Sequence, residues 1–440
     1  MSDLHEKIQR LSYSIIMDRR YKYYDLLRKN LRLNNKEMRD LQNKYLSNLI
    51  QYAYNSTRYY RDLMNSHHII PSEIRSKEDL LHFPILTKSI IRDNLDRIKS
   101  QDSFANTLKE VTSGGSTGNQ ALIYKSSYFE QYSRAAFLRN NLILNWHPHD
   151  KSVWIWGAPY EHEQIEKSVI SRFGLFINRR CLLNAYKYSV DDFSVWIKRI
   201  KQFRPKIIYG YASILLEFSK YLIVNKIFLD SIQRVVSTTE KLTDRETIKK
   251  AFKCPVSDQY GSREILSIAI ESDEGIQRVS DDTVVLNINN NGEIILTALQ
   301  SLGFPLINYQ IGDQGENVVI EHPDDSWPFS SFRLSIGRLT DNFLAIGDKK
   351  VSSSALGAYL STFRLSILEQ QIIQNNYKQF DINVVPDKQF NQSKYREILY
   401  HVLSEYFGFD VEFTINIVTC IPVETSGKRL MFKRTFNFTK

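Results

Sequence analysis

Residues 206–227 read KIIYGYASILLEFSKYLIVNKI. Four of the first seven, Lys206–Ala212, are β-branched or aromatic, which suits a short buried strand. ILLEFSKYLIVNKI then carries apolar residues at helical spacing. Strand and helix are joined with almost nothing between them. The same alternation runs to either side: SVWIWGA (152–158), then SVDDFSVWIKRIKQF (189–203) before, and RVVSTTE (234–240), then RETIKKAF (245–252) after. Strands that alternate with helices in this way predict an α/β region built on a largely parallel sheet.

Outside that region the pattern changes. Residues 1–70 read as helical, with Leu4, Ile8, Leu11 and Ile15 at helical spacing and Leu46, Leu49 and Ala53 repeating it. The first of these helices is amphipathic. It reads as packed on its own domain, because its polar face carries both charge signs; a helix lying on a membrane surface is the alternative. Residues 283–320 read as a β meander, TVVLNI and EIILTAL about the turn Asn291-Gly292. After about residue 340 a tail of helices and strands follows. The expected division is a large domain over 1–338 and a small α+β domain over 339–440.

Length, 440 residues, suits two or three domains. With 25 Tyr and 24 Phe, disorder is not expected. The net charge of +9, from 58 basic and 49 acidic residues, is spread along the chain without a Lys/Arg run. That argues against nucleic-acid binding and fits a solvated basic surface or anionic small molecules. Three distant cysteines, Cys181, Cys254 and Cys420, support neither a disulfide framework nor a zinc site and suit a reducing cytosol. No segment has the apolar length of a transmembrane helix or a signal peptide. A cytoplasmic protein is expected, with peripheral membrane contact and a homodimer left open.

Residues 111–120, VTSGGSTGNQ, are dominated by Gly, Ser and Thr. Gly114, Gly115 and Gly118 permit left-handed backbone, and successive N–H groups can then form an anion nest, with Ser113, Ser116 and Thr117 adding hydroxyl donors. No Lys follows Gly118, which excludes a Walker A loop, and no helix follows, which excludes a dinucleotide fingerprint. By composition a flexible linker fits as well. The flanks KEVTS and ALIYK read as strands, so a phosphate-holding hairpin loop is preferred. Further stretches set charged residues beside glycine: DQYGSRE (258–264), PLINYQIGD (305–313), GRLTD (337–341) and TSGK (425–428).

Taken in this order, the stretches resemble those of the adenylate-forming superfamily of acyl-CoA synthetases, adenylation domains and luciferases. With LQNKYLSNLIQYAYNSTRYYRD and SKEDLLHFPILTKSIIRDN near the N-terminus, they are most similar to the phenylacetate–CoA ligase branch, CapK-type proteins of capsular polysaccharide loci included. The resemblance spans about Leu41 to Lys433. It implies ATP, Mg²⁺ and a small carboxylic acid as ligands, with coenzyme A or an amine as acceptor. Residues Ser113, Gly114, Gly115, Ser116, Thr117 and Gly118 would cradle phosphates. Tyr260, within Tyr260-Gly261-Ser262-Arg263, would stack on adenine and Glu264 would hold Mg²⁺. Asp313 would accept the ribose hydroxyls and Arg338 would sit by ribose and phosphate. Thr340–Asp341 would be a hinge, and Lys428 would bridge carboxylate and α-phosphate. The candidate acid pocket draws on Trp154, Trp156, Tyr209, Gly210 and Tyr211, which read equally well as core strands.

Singly, Glu264 also fits the first turn of a helix, Asp313 a turn, Tyr260 a core residue and Lys428 a solvated lysine. Four positions depart from the family pattern. Asn119 and Gln120 stand where relatives carry Pro and often Lys, leaving only Lys125 further on. Arg263 replaces a small hydroxyl residue, and Asn308 replaces an Arg. The expected activity is acyl-adenylate formation with pyrophosphate release, then acyl transfer to coenzyme A or another acceptor, in cell-surface polysaccharide assembly. The alternatives are direct transfer to an amino sugar or amino acid, and a nucleotide-binding protein without turnover.

Overall fold

The computed structural model describes residues 2–112, 122–156, 168–185, 187–240, 242–272, 275–318, 327–336, 343–345, 349–351, 353–360, 363, 365–421 and 431–436. The chain opens with helices α1 (Ser2–Ile15), α2 (Arg20–Asn30) and α3 (Asn35–Ser56). A capping box starts α3: the Asn34 side chain accepts from the N–H groups of Lys36 and Glu37, and Glu37 accepts from Asn34 N–H. Tyr21, Tyr24 and Leu27 of α2 pack on Tyr132, Ala135 and Ala136 of α4 (Ser127–Ile143).

Helix α1 does lie on its own body, but not by its apolar stripe. Gln9 is fully buried and donates to the carbonyls of Pro148 and Ile177 at 3.0 and 2.9 Å. His5 Nε2 lies 2.8 Å from the same Ile177 carbonyl. Ile177 ends helix α5 (Val169–Ile177), whose last carbonyls have no partner within the helix. That need for donors draws in the polar face of α1.

Strands β1 (Lys109–Thr112) and β2 (Leu122–Lys125) pair antiparallel, Thr112 opposite Leu122, on either side of the glycine-rich stretch. Next come β3 (Ser152–Trp156), β4 (Arg180–Asn184), the two-residue β5 (Lys187–Tyr188), β6 (Ile207–Tyr211), β7 (Arg234–Thr238) and β8 (Val256–Tyr260). Apart from β5 these run parallel in the order β4-β3-β6-β7-β8. Every residue of β6 and β7 is buried, as parallel strands covered on both faces require. Helices α6 (Val190–Phe203), α7 (Ala212–Val224) and α8 (Arg245–Phe252) supply one covering layer.

At β8 the sheet changes direction. Antiparallel β9 (Ala269–Glu271), β10 (Gln277–Val279), β11 (Val284–Ile288), β12 (Glu293–Ala298), β13 (Tyr309–Asn317) and β14 (Ser331–Ile336) extend it to eleven strands, ending β9-β10-β14-β13-β12-β11. The hairpin β11–β12 turns at Gly292, φ +76°, where Asn291-Gly292 predicts it. The meander is thus continuous with the parallel strands. Beyond it, β15 (Phe343–Ala345) and β16 (Lys349–Val351) form a small sheet with β5. Strands β17 (Ile367–Gln374), β18 (Gln379–Pro386), β19 (Glu412–Ile417) and β20 (Phe432–Arg434) make a last sheet. Leu399, Val402 and Tyr406 of α9 (Gln392–Phe407) pack against it.

The helical opening is joined to the sheet by charge. Arg139 on α4 and Asp282, in the turn before β11, are both without solvent exposure and bond through two N–H···O contacts of 2.6 Å. Asn30 at the end of α2 donates to the same carboxylate at 2.8 Å. Removing one member of such a pair leaves a buried charge uncompensated. Asp282→Ala is expected to cost about 3–5 kcal/mol, read as a fall in the urea midpoint at unchanged m-value.

Candidate active site

The site is assembled where the sheet changes from parallel to antiparallel. β8 ends at Tyr260, and Gly261 starts a turn that no other residue could make. A Cβ at Gly261 would lie 2.2 Å from the Leu266 carbonyl oxygen. Ser262 N–H donates to the Ile265 carbonyl at 2.8 Å, Ile265 N–H to Ser262 Oγ at 3.0 Å, and Ile268 N–H to the Tyr260 carbonyl at 3.1 Å. The turn is therefore not the first turn of a helix. It folds Glu264 inward to 2% exposure, where Oε1 accepts from the Tyr309 hydroxyl at 2.9 Å. The Tyr260 hydroxyl in turn donates to Asp313 Oδ2 at 3.0 Å. Each stretch thus supplies a tyrosine to the other's carboxylate. Two bonds lock the turn to β13, with Asp313 half-buried just after Gly312, φ +96°.

Tyr260 itself is 6% exposed, its ring against Phe332 with centroids 5.6 Å apart. Arg263 is half-buried. Lys125, at the end of β2, shares this neighbourhood. Burial lowers its amine to about 8, while the negative Glu264 pulls the other way and Arg263 adds to the lowering. A lysine that sequence reasoning set aside is thus within electrostatic reach of Glu264. Residues 113–118, Arg338, Thr340–Asp341 and Lys428 lie outside the described residues.

Asn308 has its own explanation. It adopts φ +53°, which Asn tolerates better than most side chains. Its amide donates to the carbonyls of Leu80 and Phe83 at 2.8 and 2.7 Å. Leu86 N–H donates to the Asn308 carbonyl, and Gln310 N–H to that of Leu86, both at 3.0 Å. Asn308 therefore fastens the segment 80–86 to the start of β13. Nothing in one sequence links those positions, more than 200 residues apart.

The five residues of the candidate acid pocket are brought together on β3 and β6. Trp154 and Tyr209 have centroids 4.4 Å apart, and Trp156 and Tyr211 4.6 Å. Tyr209 donates to Gln259 Oε1 at 2.7 Å, next in sequence to Tyr260. Gly210 allows β3 close, a Cβ there falling 3.1 Å from Ile155. Tyr209 and Tyr211 are buried, whereas Trp154 and Trp156 are partly exposed. The cluster belongs to the core, with the two tryptophans at its partly exposed edge.

Asp258, two residues before Tyr260, is a half-buried acid. Ser237 Oγ donates to its Oδ1 at 2.6 Å, and its own N–H donates to Glu271, which Arg245 holds by two contacts of 2.5 and 2.6 Å. Burial is the main cause that pushes the Asp258 carboxyl up to about 7. Among the described residues no group of three or more His, Cys, Asp or Glu is placed to hold a metal ion.

Residues 345–435 match the family described as the CapK C-terminal domain. The chain is 26% identical to Protein CapK of Staphylococcus aureus over 431 residues, 94% of this chain and 93% of that protein. Among solved structures it is similar to 2-hydroxyisobutyryl-CoA ligase in complex with 2-HIB-AMP and CoA in the thioesterification state. The TM-score is 0.58 at 15% identity, over 92% of this chain and 91% of that one. The same ligase in the postadenylation state with R3-HIB-AMP gives a TM-score of 0.56 at 15% identity, over 91% and 90%.

Asp258 sets a pH dependence. In the unfolded chain it loses its proton near 4, and in the fold near 7. The folded state binds more protons between these values, so stability falls as pH rises across that window, by up to about 1.4 kcal/mol per pH unit. Asp281, raised by burial to about 6, adds to the same slope. Asp258→Asn is expected to flatten the fall in urea midpoint between pH 5 and pH 7 without abolishing it.

Proposed function

We propose, for a chain that has the fold of the adenylate-forming ligases and a C-terminal region matching the CapK family, ATP-dependent activation of a carboxylic acid as an acyl-adenylate, then acyl transfer to coenzyme A or another acceptor. The observation that carries this reading is the crossed pair of tyrosine–carboxylate bonds, Tyr309 to Glu264 and Tyr260 to Asp313. It holds two carboxylates of different exposure at one end of β8, where Tyr209 of the aromatic cluster bonds to Gln259. In the proposed chemistry a carboxylate oxygen of the acid attacks the α-phosphorus. The new O–P bond forms as the bond to pyrophosphate breaks, and pyrophosphate leaves. A thiol or amine then attacks the acyl carbon, losing its proton, and AMP departs.

The half-buried Asp313 suits two ribose hydroxyls, since an ionised carboxylate accepts both. Glu264 suits Mg²⁺, a hard cation that takes one or two carboxylates and fills its remaining positions with phosphate oxygens and water. Bound there, the ion would neutralise phosphate charge. The loop 113–118 is the proposed phosphate cradle. Lys125, within reach of Glu264's charge, adds a cation close to where relatives carry one after the loop. Tyr260 would present its ring to adenine and Arg338 its charge to ribose and phosphate. Residues 339–440 act in this proposal as a small mobile domain that brings Lys428 between carboxylate and α-phosphate. One charge pair at ~4 Å and an effective dielectric near 20 contributes about 4 kcal/mol, roughly a thousandfold in rate. The relationship to CapK makes cell-surface polysaccharide assembly, in the cytoplasm, the setting we infer.

The test is pyrophosphate release with ATP, Mg²⁺ and aryl, fatty and amino acids in turn, with hydroxylamine as acceptor. Acid-dependent release is expected, reduced roughly a thousandfold in Lys428→Ala and lost with Glu264→Ala. Replacing hydroxylamine by coenzyme A or an amino sugar then identifies the acceptor. ATP binding without release for any acid class would replace the proposal by a nucleotide-binding protein without turnover.

A further inference from the structure

Nine of the 21 exposed large apolar side chains among the described residues fall on α1, the two residues after it, and α5. On α1, Leu4, Ile8, Leu11 and Ile15 are 42% to 73% exposed. They recur at i, i+4, i+7 and i+11 and so share one face of the helix. On α5, Val169, Phe173 and Phe176 follow the same spacing and are 57% to 72% exposed. The two helices are bound to each other through His5, Gln9 and the carbonyl of Ile177, and through Tyr13 and Asn178 at 3.0 Å. Their polar contacts point inward and their apolar stripes outward. This inverts the usual placement of a surface helix.

Charge identifies the occupant. On α5, Arg172 precedes Phe173 and sets an exposed cation at the flank of the stripe. Of the two acids of α1, Asp3 and Glu6, the second faces back to Arg10 and His149. The span Val169–Ile177 has no acidic residue. Arg19 and Lys22, just past the exposed Ile16 and Met17, extend the positive rim. A second copy applied to this face by a two-fold axis would set these cations against themselves. An anionic lipid surface pairs them while burying the stripes.

We propose that α1 and α5 together form a membrane-docking face that seats the protein on an anionic bilayer. The binding is interfacial: no described helix is long and apolar enough to cross a membrane. The aliphatic and aromatic stripes enter the acyl boundary while Arg19, Lys22 and Arg172 stay at headgroup level.

The full chain is floated with vesicles of phosphatidylcholine alone and of an equal mixture of phosphatidylcholine and phosphatidylglycerol. Flotation is expected with the mixed vesicles, roughly tenfold weaker with phosphatidylcholine alone or in high salt. Leu11→Glu with Ile15→Glu, Phe173→Glu with Phe176→Glu, and Lys22→Glu with Arg172→Glu are each expected to reduce it roughly tenfold, at an unchanged thermal midpoint. Absence of flotation with both vesicles overturns the proposal, as does wild-type flotation of the Glu variants. A dimer in solution that those variants dissociate also overturns it, and assigns the face to a second copy.

Discussion

A guanidinium and a carboxylate sealed from water, Arg139 and Asp282, hold α4 to the central sheet and give the helical opening, through Asn30, its attachment to the same carboxylate. Taking both charges out of solvent is tolerable only if nearly every donor and acceptor around them is used. Here Asn30 shares the carboxylate, and Arg139 Nε donates to Asn140 Oδ1 at 2.8 Å. Asn140 then donates to Ser280 and Ser267 hydroxyls at 2.6 and 2.7 Å. Ser267 closes the turn that begins at Gly261 and carries Glu264. The position of the candidate catalytic carboxylate therefore descends, through one unbroken polar network, from a pair of charges on α4 and the start of β11.

That network explains what the sequence makes visible and what it does not. The strand–helix alternation from Ser152 to Phe252 is legible because burial on both faces leaves continuous apolar strands and amphipathic crossovers. The Asn291-Gly292 turn is legible because its backbone angles restrict residue type. Glu264 and Asp313 stand out by their place beside glycine. Their partners do not, because Tyr309 and Glu264 are 45 residues apart and Tyr260 and Asp313 are 53. Which stripe of α1 meets the protein is equally hidden. Periodicity finds an apolar face but says nothing of the unpaired carbonyl at Ile177 that attracts the opposite one.

Residues that depart from the resemblance separate in the same physical terms. Asn308 is a structural substitution: it takes a left-handed conformation and fastens the segment 80–86 to β13. Arg263 and Lys125 belong together, two cations whose fields overlap beside one acidic side chain. One positive charge has in effect been distributed over the turn after β8 and the end of β2. The arrangement suits an anionic ligand spread over several ångströms better than a single point of attachment.

The small sheet of β5, β16 and β15 has a consequence of its own. Among the described residues β16 meets β5 through a ladder of two residue pairs, Lys350 with Tyr188 and Val351 with Lys187, while Gln374 of β17 bonds both ways to Leu344 of β15. Backbone bonds of that kind each contribute about 1 kcal/mol net when exchanged against water. A seam so short behaves as a zip with two teeth. It sets one alignment of β16 on β5, while the holding is left to Phe343, Ala345 and Val351, whose side chains are sunk in the core beneath the last sheet.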